Sequence, residues 1–149
     1  MSATVRDFLS AYILGIIAFI VINYALTVFA DYSLPGSVSV VPFIIAVQVA
    51  AQRFATRTGK APTKGESWRA ALAMALSAIA LSALLLIVVS FAFGADQIFG
   101  PGFSDAFDLT IALTVFGLVF VVYALLARFS FSWLARAAVR NAERLKGPE

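Results

Sequence analysis

The chain contains no cysteine and no histidine. Without thiols it forms no disulfide and offers no thiolate to a metal or a substrate. Without imidazole it lacks both the commonest general base and the commonest zinc or haem ligand. Charge is scarce too. Asp, Glu, Lys and Arg make up 13% of the 149 residues, against about 25% in ordinary soluble domains. What remains is 62% hydrophobic, with a mean hydropathy of +0.96. These values describe one integral membrane domain, and they predict no enzyme, no cofactor and no metal site. The net charge of +3 and pI near 9.6 would suit nucleic acid, but the placement of the bases favours membrane topology and no nucleic-acid partner.

Four apolar stretches predict an all-α bundle of four transmembrane helices, over about 8–30, 38–55, 68–93 and 107–127. The first, Phe8 to Ala30, carries no charge and is long enough for a full span. A signal peptide is the competing reading, because Val28-Phe29-Ala30 resembles a small-residue cleavage site. The run nevertheless exceeds the usual ~7–15-residue apolar region of such peptides, and Asp7 offsets Arg6.

The second stretch is the weakest. Pro42 fits a first helical turn, where its missing N–H is harmless, but only Val41 to Gln52 is cleanly apolar before Arg53. Arg53 would extend the span by snorkelling. Ser37 to Ser39 would be non-helical at membrane depth, and a re-entrant segment is the alternative. The third stretch, Trp68 to Phe93, has small residues in register. Ala71, Ala75, Ala78 and Ser82 form one row, with Ala73, Ser77 and Ala80 beside it, a pattern that lets helices approach closely in lipid. Asp105 and Asp108 are expected to cap the fourth helix. A basic amphipathic helix over about 128–146 follows, with Arg136, Arg140, Glu143 and Arg144 on one face and Leu134, Ala138, Ala142 and Leu145 on the other. It is expected to lie on the membrane surface.

In this four-span scheme all eleven Lys and Arg fall on one side, with only Asp7, Glu66, Glu143 and Glu149 to oppose them. The other side holds Asp31, Asp96, Asp105 and Asp108. The positive-inside rule then puts both termini in the cytoplasm. An odd number of crossings would send a basic segment outside.

The middle loop is the most distinctive polar segment. Thr63 with Glu66 reads as a capping box for the third helix, and Trp68 as an interfacial anchor. Arg53, Arg57, Lys60 and Lys64, with Arg136, Arg140 and Arg144 beyond the last span, form a candidate surface for anionic lipid headgroups or a partner. The positive-inside rule alone also explains these charges. The glycines of this loop follow no strand and form no phosphate-loop pattern. Asn23 and Gln48 are candidates for a polar path; the plainer reading of such residues is interhelical hydrogen bonding. The spans hold no deep ionisable residue, which argues against a proton-coupled exporter.

The segment Arg57 to Trp68, R-T-G-K-A-P-T-K-G-E-S-W, resembles a family of small bacterial inner-membrane proteins of unassigned function. These have four predicted spans and a basic cytoplasmic loop with a Pro and a Glu before the third. The resemblance implies a bacterial plasma membrane and supplies no catalytic residues. The leading expectation is a protein that works by association through Ala71, Ala75, Ala78 and Ser82, as an accessory subunit beside another integral membrane protein or as a homo-oligomer. A small transporter or channel subunit and a membrane immunity protein are the alternatives.

Overall fold

A computed structural model describes residues 3–35, 38, 40–94 and 109–145. The elements among these residues are helices: α1 (Ala3–Ala30), α2 (Val41–Thr58), α3 (Lys64–Phe93) and α4 (Leu109–Leu145). Three of them, α1, α3 and α4, are long and apolar enough to cross a membrane. The shorter α2 has 18 residues and carries Gln48, Gln52, Arg53 and Arg57. The expected span over 38–55 is thus a helix shifted toward the polar loop.

Local chemistry sets the ends. Pro42 lies in the first turn of α2, where no intrahelical N–H bond is lost. Gly59 closes α2 at φ 63°, a left-handed conformation that glycine adopts without strain, and its N–H donates to Ala55 O at 2.8 Å. Directly after Pro62, Thr63 and, three residues on, Glu66 begin α3 with both halves of a capping box. The Glu66 N–H donates to Thr63 Oγ1 (3.2 Å), and the Thr63 N–H donates to Glu66 Oε2 (2.8 Å).

α1 and α2 run antiparallel, whereas α2 and α4 run parallel, with Phe43 against Tyr123 and Phe54 against Phe131. Asp7 of α1 meets Arg53 of α2, and Gly15 of α1 meets Pro42. So α2 begins level with the middle of α1 and covers only its first half. Gly15 makes this approach possible: a Cβ there would lie 3.1 Å from Pro42 Cβ and 3.4 Å from its Cα. The chain after Ala30 therefore returns along the second half of α1 before α2 starts. Asp31 turns it with a positive φ of 49°, and Asn23 Oδ1 then accepts the Leu34 N–H at 2.9 Å. The Val38 N–H donates to Pro35 O at 2.9 Å. Ser37 and Ser39, expected to be non-helical, lie outside the described residues.

α4 shows no break where the last span was expected to end. Its 37 residues run unbroken through Arg128, about 55 Å at ~1.5 Å per residue. The basic segment is therefore a rigid continuation of the apolar helix and not a separate helix turned onto the surface. It packs back on its neighbours: Ala127, Phe131 and Ala135 are fully buried or nearly so. The caps expected at Asp105 and Asp108, the start of the last span at 107, the acidic Asp96 and Lys146 lie outside the described residues.

The core gathers at one end, where the start of α1, the body of α2, the start of α3 and the second half of α4 meet. Phe8, Phe43, Met74, Val47 and Phe131 are its largest fully buried side chains. Phe43 is the hub. Its ring meets Phe8 (5.6 Å), Tyr12 (6.1 Å) and Tyr123 (4.4 Å) edge-on, while Phe54 meets Phe131 at 5.5 Å. Edge-to-face geometry sets the positive ring edge against a negative face. Alanines at 46, 50, 51, 71 and 78 fill the rest and let backbones come close. Beyond this core burial falls away. Among the described residues none from Ile13 to Ala30, Ile79 to Ala92 or Leu113 to Tyr123 is buried.

Candidate functional site

Two polar clusters lie at the packed end. The first joins α1 to α2. Asp7 is buried, with its side chain 11% exposed. One carboxylate oxygen takes Arg53 Nη1 at 3.0 Å, and the other meets Arg57 Nη2. The spacing explains the pair: Arg53 and Arg57 are one helical turn apart, on one face. Arg57 Nε also donates to Arg53 O at 3.2 Å. Both guanidiniums keep an exposed side, so the cluster is a clamp between helices with its cations still in reach of solvent or headgroups.

The second cluster is a cleft of about 270 Å³ between the start of α3 and the basic half of α4. Lys64, Ser67, Arg128, Phe129, Ser132, Trp133 and Arg136 line it. The Arg128 guanidinium sits 4.3 Å from the centre of the Trp68 ring and 5.6 Å from that of Phe129, a double cation–π contact that fixes its position. Ser67 is 3% exposed, and its hydroxyl has no hydrogen-bond partner among the described residues. Glu66 next to it is held by Thr63, whose backbone N–H and hydroxyl both donate to its carboxylate. Those two bonds, with a smaller contribution from the nearby Arg69 cation, keep the Glu66 carboxyl below its ordinary range.

The other predicted residues are scattered. Ala71, Ala75 and Ala78 are buried within this chain's own core, whereas Ser82, the end of that row, is exposed. Its hydroxyl lies 3.4 Å from Tyr12 Oη. The row is thus occupied internally as far as Ala78. Lys60 is exposed, and its backbone N–H and carbonyl both bond the Thr58 hydroxyl. Arg140 and Arg144 are exposed on α4 beyond the cleft. Asn23 is half-buried and holds the returning chain, while Gln48 lies exposed on α2. The Gly15–Pro42 contact sets the register of the two helices, and from it Asn23 and Gln48 lie about 20 Å apart along the axis. The two side chains are not brought together.

Sequence reasoning missed Asp7, Ser67, Arg128 and Ser132. Asp7 was read as a mere offset to Arg6. A lone acid at the foot of a helix, opposite two arginines one turn apart, was the available signal. No protein-family model, no curated protein and no solved structure matches the chain.

Proposed function

We propose that this chain is a non-enzymatic, multi-pass protein of the bacterial plasma membrane that works by association. Its partner is another integral membrane protein, which it stabilises as an accessory subunit, or a second copy of itself. One observation carries the reading. The outer halves of α1, α3 and α4 bury no described residue against their own chain, and α2 starts too low to fill the gap. Helices in lipid gain little from the solvent around them and gain mainly from close packing. Among the described residues the outer half leaves that packing unmade.

The association surface therefore moves from the alanine row to the apolar outer faces, which include Ile17, Ile20, Leu84 and Leu118. The return after α1 together with α2 makes the remaining crossing, part irregular chain and part helix, a form tolerated at membrane depth where protein covers it. Both termini then face the cytoplasm with the bases, in line with the positive-inside rule. The basic end rests among anionic headgroups, worth ~1 kcal/mol for each base near the surface.

Photo-crosslinking in the native membrane tests this. A crosslinking residue placed at Ile20 or Leu118 should trap a protein, a partner or a second copy. One placed at Arg140 should trap lipid or nothing. Lipid adducts alone from Ile20 and Leu118 would remove the basis of the proposal.

A further inference from the structure

We infer that the cleft between α3 and α4 is a binding site for a phosphate group, filled in the membrane by the headgroup of an anionic phospholipid. The proposal stands on the geometry of the cleft and does not depend on what covers the outer faces.

Three cations, Lys64, Arg128 and Arg136, line the cleft with two hydroxyls, Ser67 and Ser132, and no carboxylate is among its lining residues. None of the three cations is engaged in an ion pair among the described residues. That contrasts with Arg53 and Arg57, whose charge Asp7 answers. Three like charges around one cavity are unfavourable unless an anion joins them. The nearby acid, Glu66, is turned to Thr63.

Ser67 gives the independent sign. A hydroxyl at 3% exposure with no partner is a group whose desolvation has gone uncompensated, and buried hydroxyls normally find one. It lines the same cavity as the cations, so an oxygen-rich anion placed there would accept a hydrogen bond from its hydroxyl. Ser67 also stands in the first turn of the 30-residue α3, where the helix dipole favours negative charge.

Shape and surroundings select the source. A volume near 270 Å³ holds a phosphate with part of what it esterifies. The arginine is held in place by Trp68 and Phe129, so it is ordered before a ligand arrives. Phe129 and Trp133 are 67% and 68% exposed at the cleft. Aromatics of this kind sit at the headgroup level of a bilayer. A soluble phosphate has no use for that apolar rim, whereas a phospholipid would lay its glycerol and first methylenes along it.

The chain's two tryptophans, Trp68 and Trp133, both flank the site, so their emission reports on it directly. The full-length protein in a neutral detergent would be titrated with phosphatidylglycerol, phosphatidylcholine and inorganic phosphate. Native mass spectrometry would count bound lipids in parallel. Phosphatidylglycerol should change the emission saturably and bind at least about tenfold more tightly than phosphatidylcholine. Lys64→Gln with Arg136→Gln should weaken it by about tenfold or more, while Arg140→Gln with Arg144→Gln, the same charge loss further along α4, should leave it within about twofold. Ser67→Ala, which removes little volume, should weaken it by a smaller factor. Circular dichroism would confirm that each variant is folded. Saturation by inorganic phosphate as strong as by phosphatidylglycerol would support the phosphate site and overturn the lipid source. Equal losses in the two double variants, or no preference among the three ligands, would overturn the site itself.

Discussion

At the end where Asp7, Arg53, Lys64 and Arg136 gather, every helix buries a face. At the other end α1, α3 and α4 bury none of their described residues. The two halves differ in composition before they differ in packing. The start of α3 is rich in alanine, at positions 70, 71, 73, 75, 78 and 80, and its end reads Leu84-Leu85-Leu86-Ile87-Val88-Val89. Alanine on α3 and α2, with Gly15 on α1, lets backbones close to contact, and a few aromatics then fill the remaining space. Bulky aliphatic side chains hold helices apart and present a surface equally suited to lipid or to another helix. The packed half is the one that fixes the fold, and the open half is the surface proposed for association.

The largest way to break this contrast is to overfill the packed half. Ala75→Leu with Ala78→Leu should prevent stable folding, seen as loss of a cooperative thermal transition in detergent, because both sites are closed. Phe43→Ala comes next. It empties the aromatic hub and should lower stability by about 3 kcal/mol or more in a denaturant titration. The matched change Leu118→Ala in the open half should stay within about 0.5 kcal/mol in monomeric protein.

Gly15→Val should force α2 away from α1, since its Cβ would meet backbone as well as side-chain atoms of Pro42. The expected loss is about 1–3 kcal/mol. Asp7→Asn should leave Arg53 and Arg57 facing each other without a counter-charge. The loss should be about 1–2 kcal/mol, toward the low end for such sites because both arginines are partly exposed.

The smallest effect is at the start of α3. Thr63→Ala should remove about 1 kcal/mol of cap stabilisation. Because Glu66 has a carboxyl held below its ordinary value of 4.5 in the folded chain, its contribution is present above that value. It is lost as pH falls through the lowered folded value. Glu66→Gln should flatten that acid limb of a melting-temperature profile.

Much of this fold was legible in the chain. The three long apolar helices follow from run length, and the α3 cap from Thr63 and Glu66. The α2 stop follows from Gly59, which its left-handed φ requires. The weakness of the second segment was legible too, in Pro42 and the polar residues that crowd toward Arg53. Three features were not. The low start of α2 depends on where Pro42 meets Gly15, a contact between helices that no local pattern encodes. The unbroken α4 was hidden because Arg128 looks like the end of a span. Yet arginine is a good helix former, and here Trp68 and Phe129 hold its charge. Asp7 and Ser67 acquire their meaning only from neighbours far away in sequence.

The proposal that a partner protein or a second copy of the chain completes the open half is open to a direct test. Native mass spectrometry of the protein released gently from its own membrane tests it most directly. A stable assembly with another membrane protein or with a second copy is expected, one that bulky or polar substitutions at Ile17, Leu84 and Leu118 disrupt while the isolated chain stays folded. A monomer carrying only lipids, at every detergent mild enough to keep known membrane complexes intact, would contradict it.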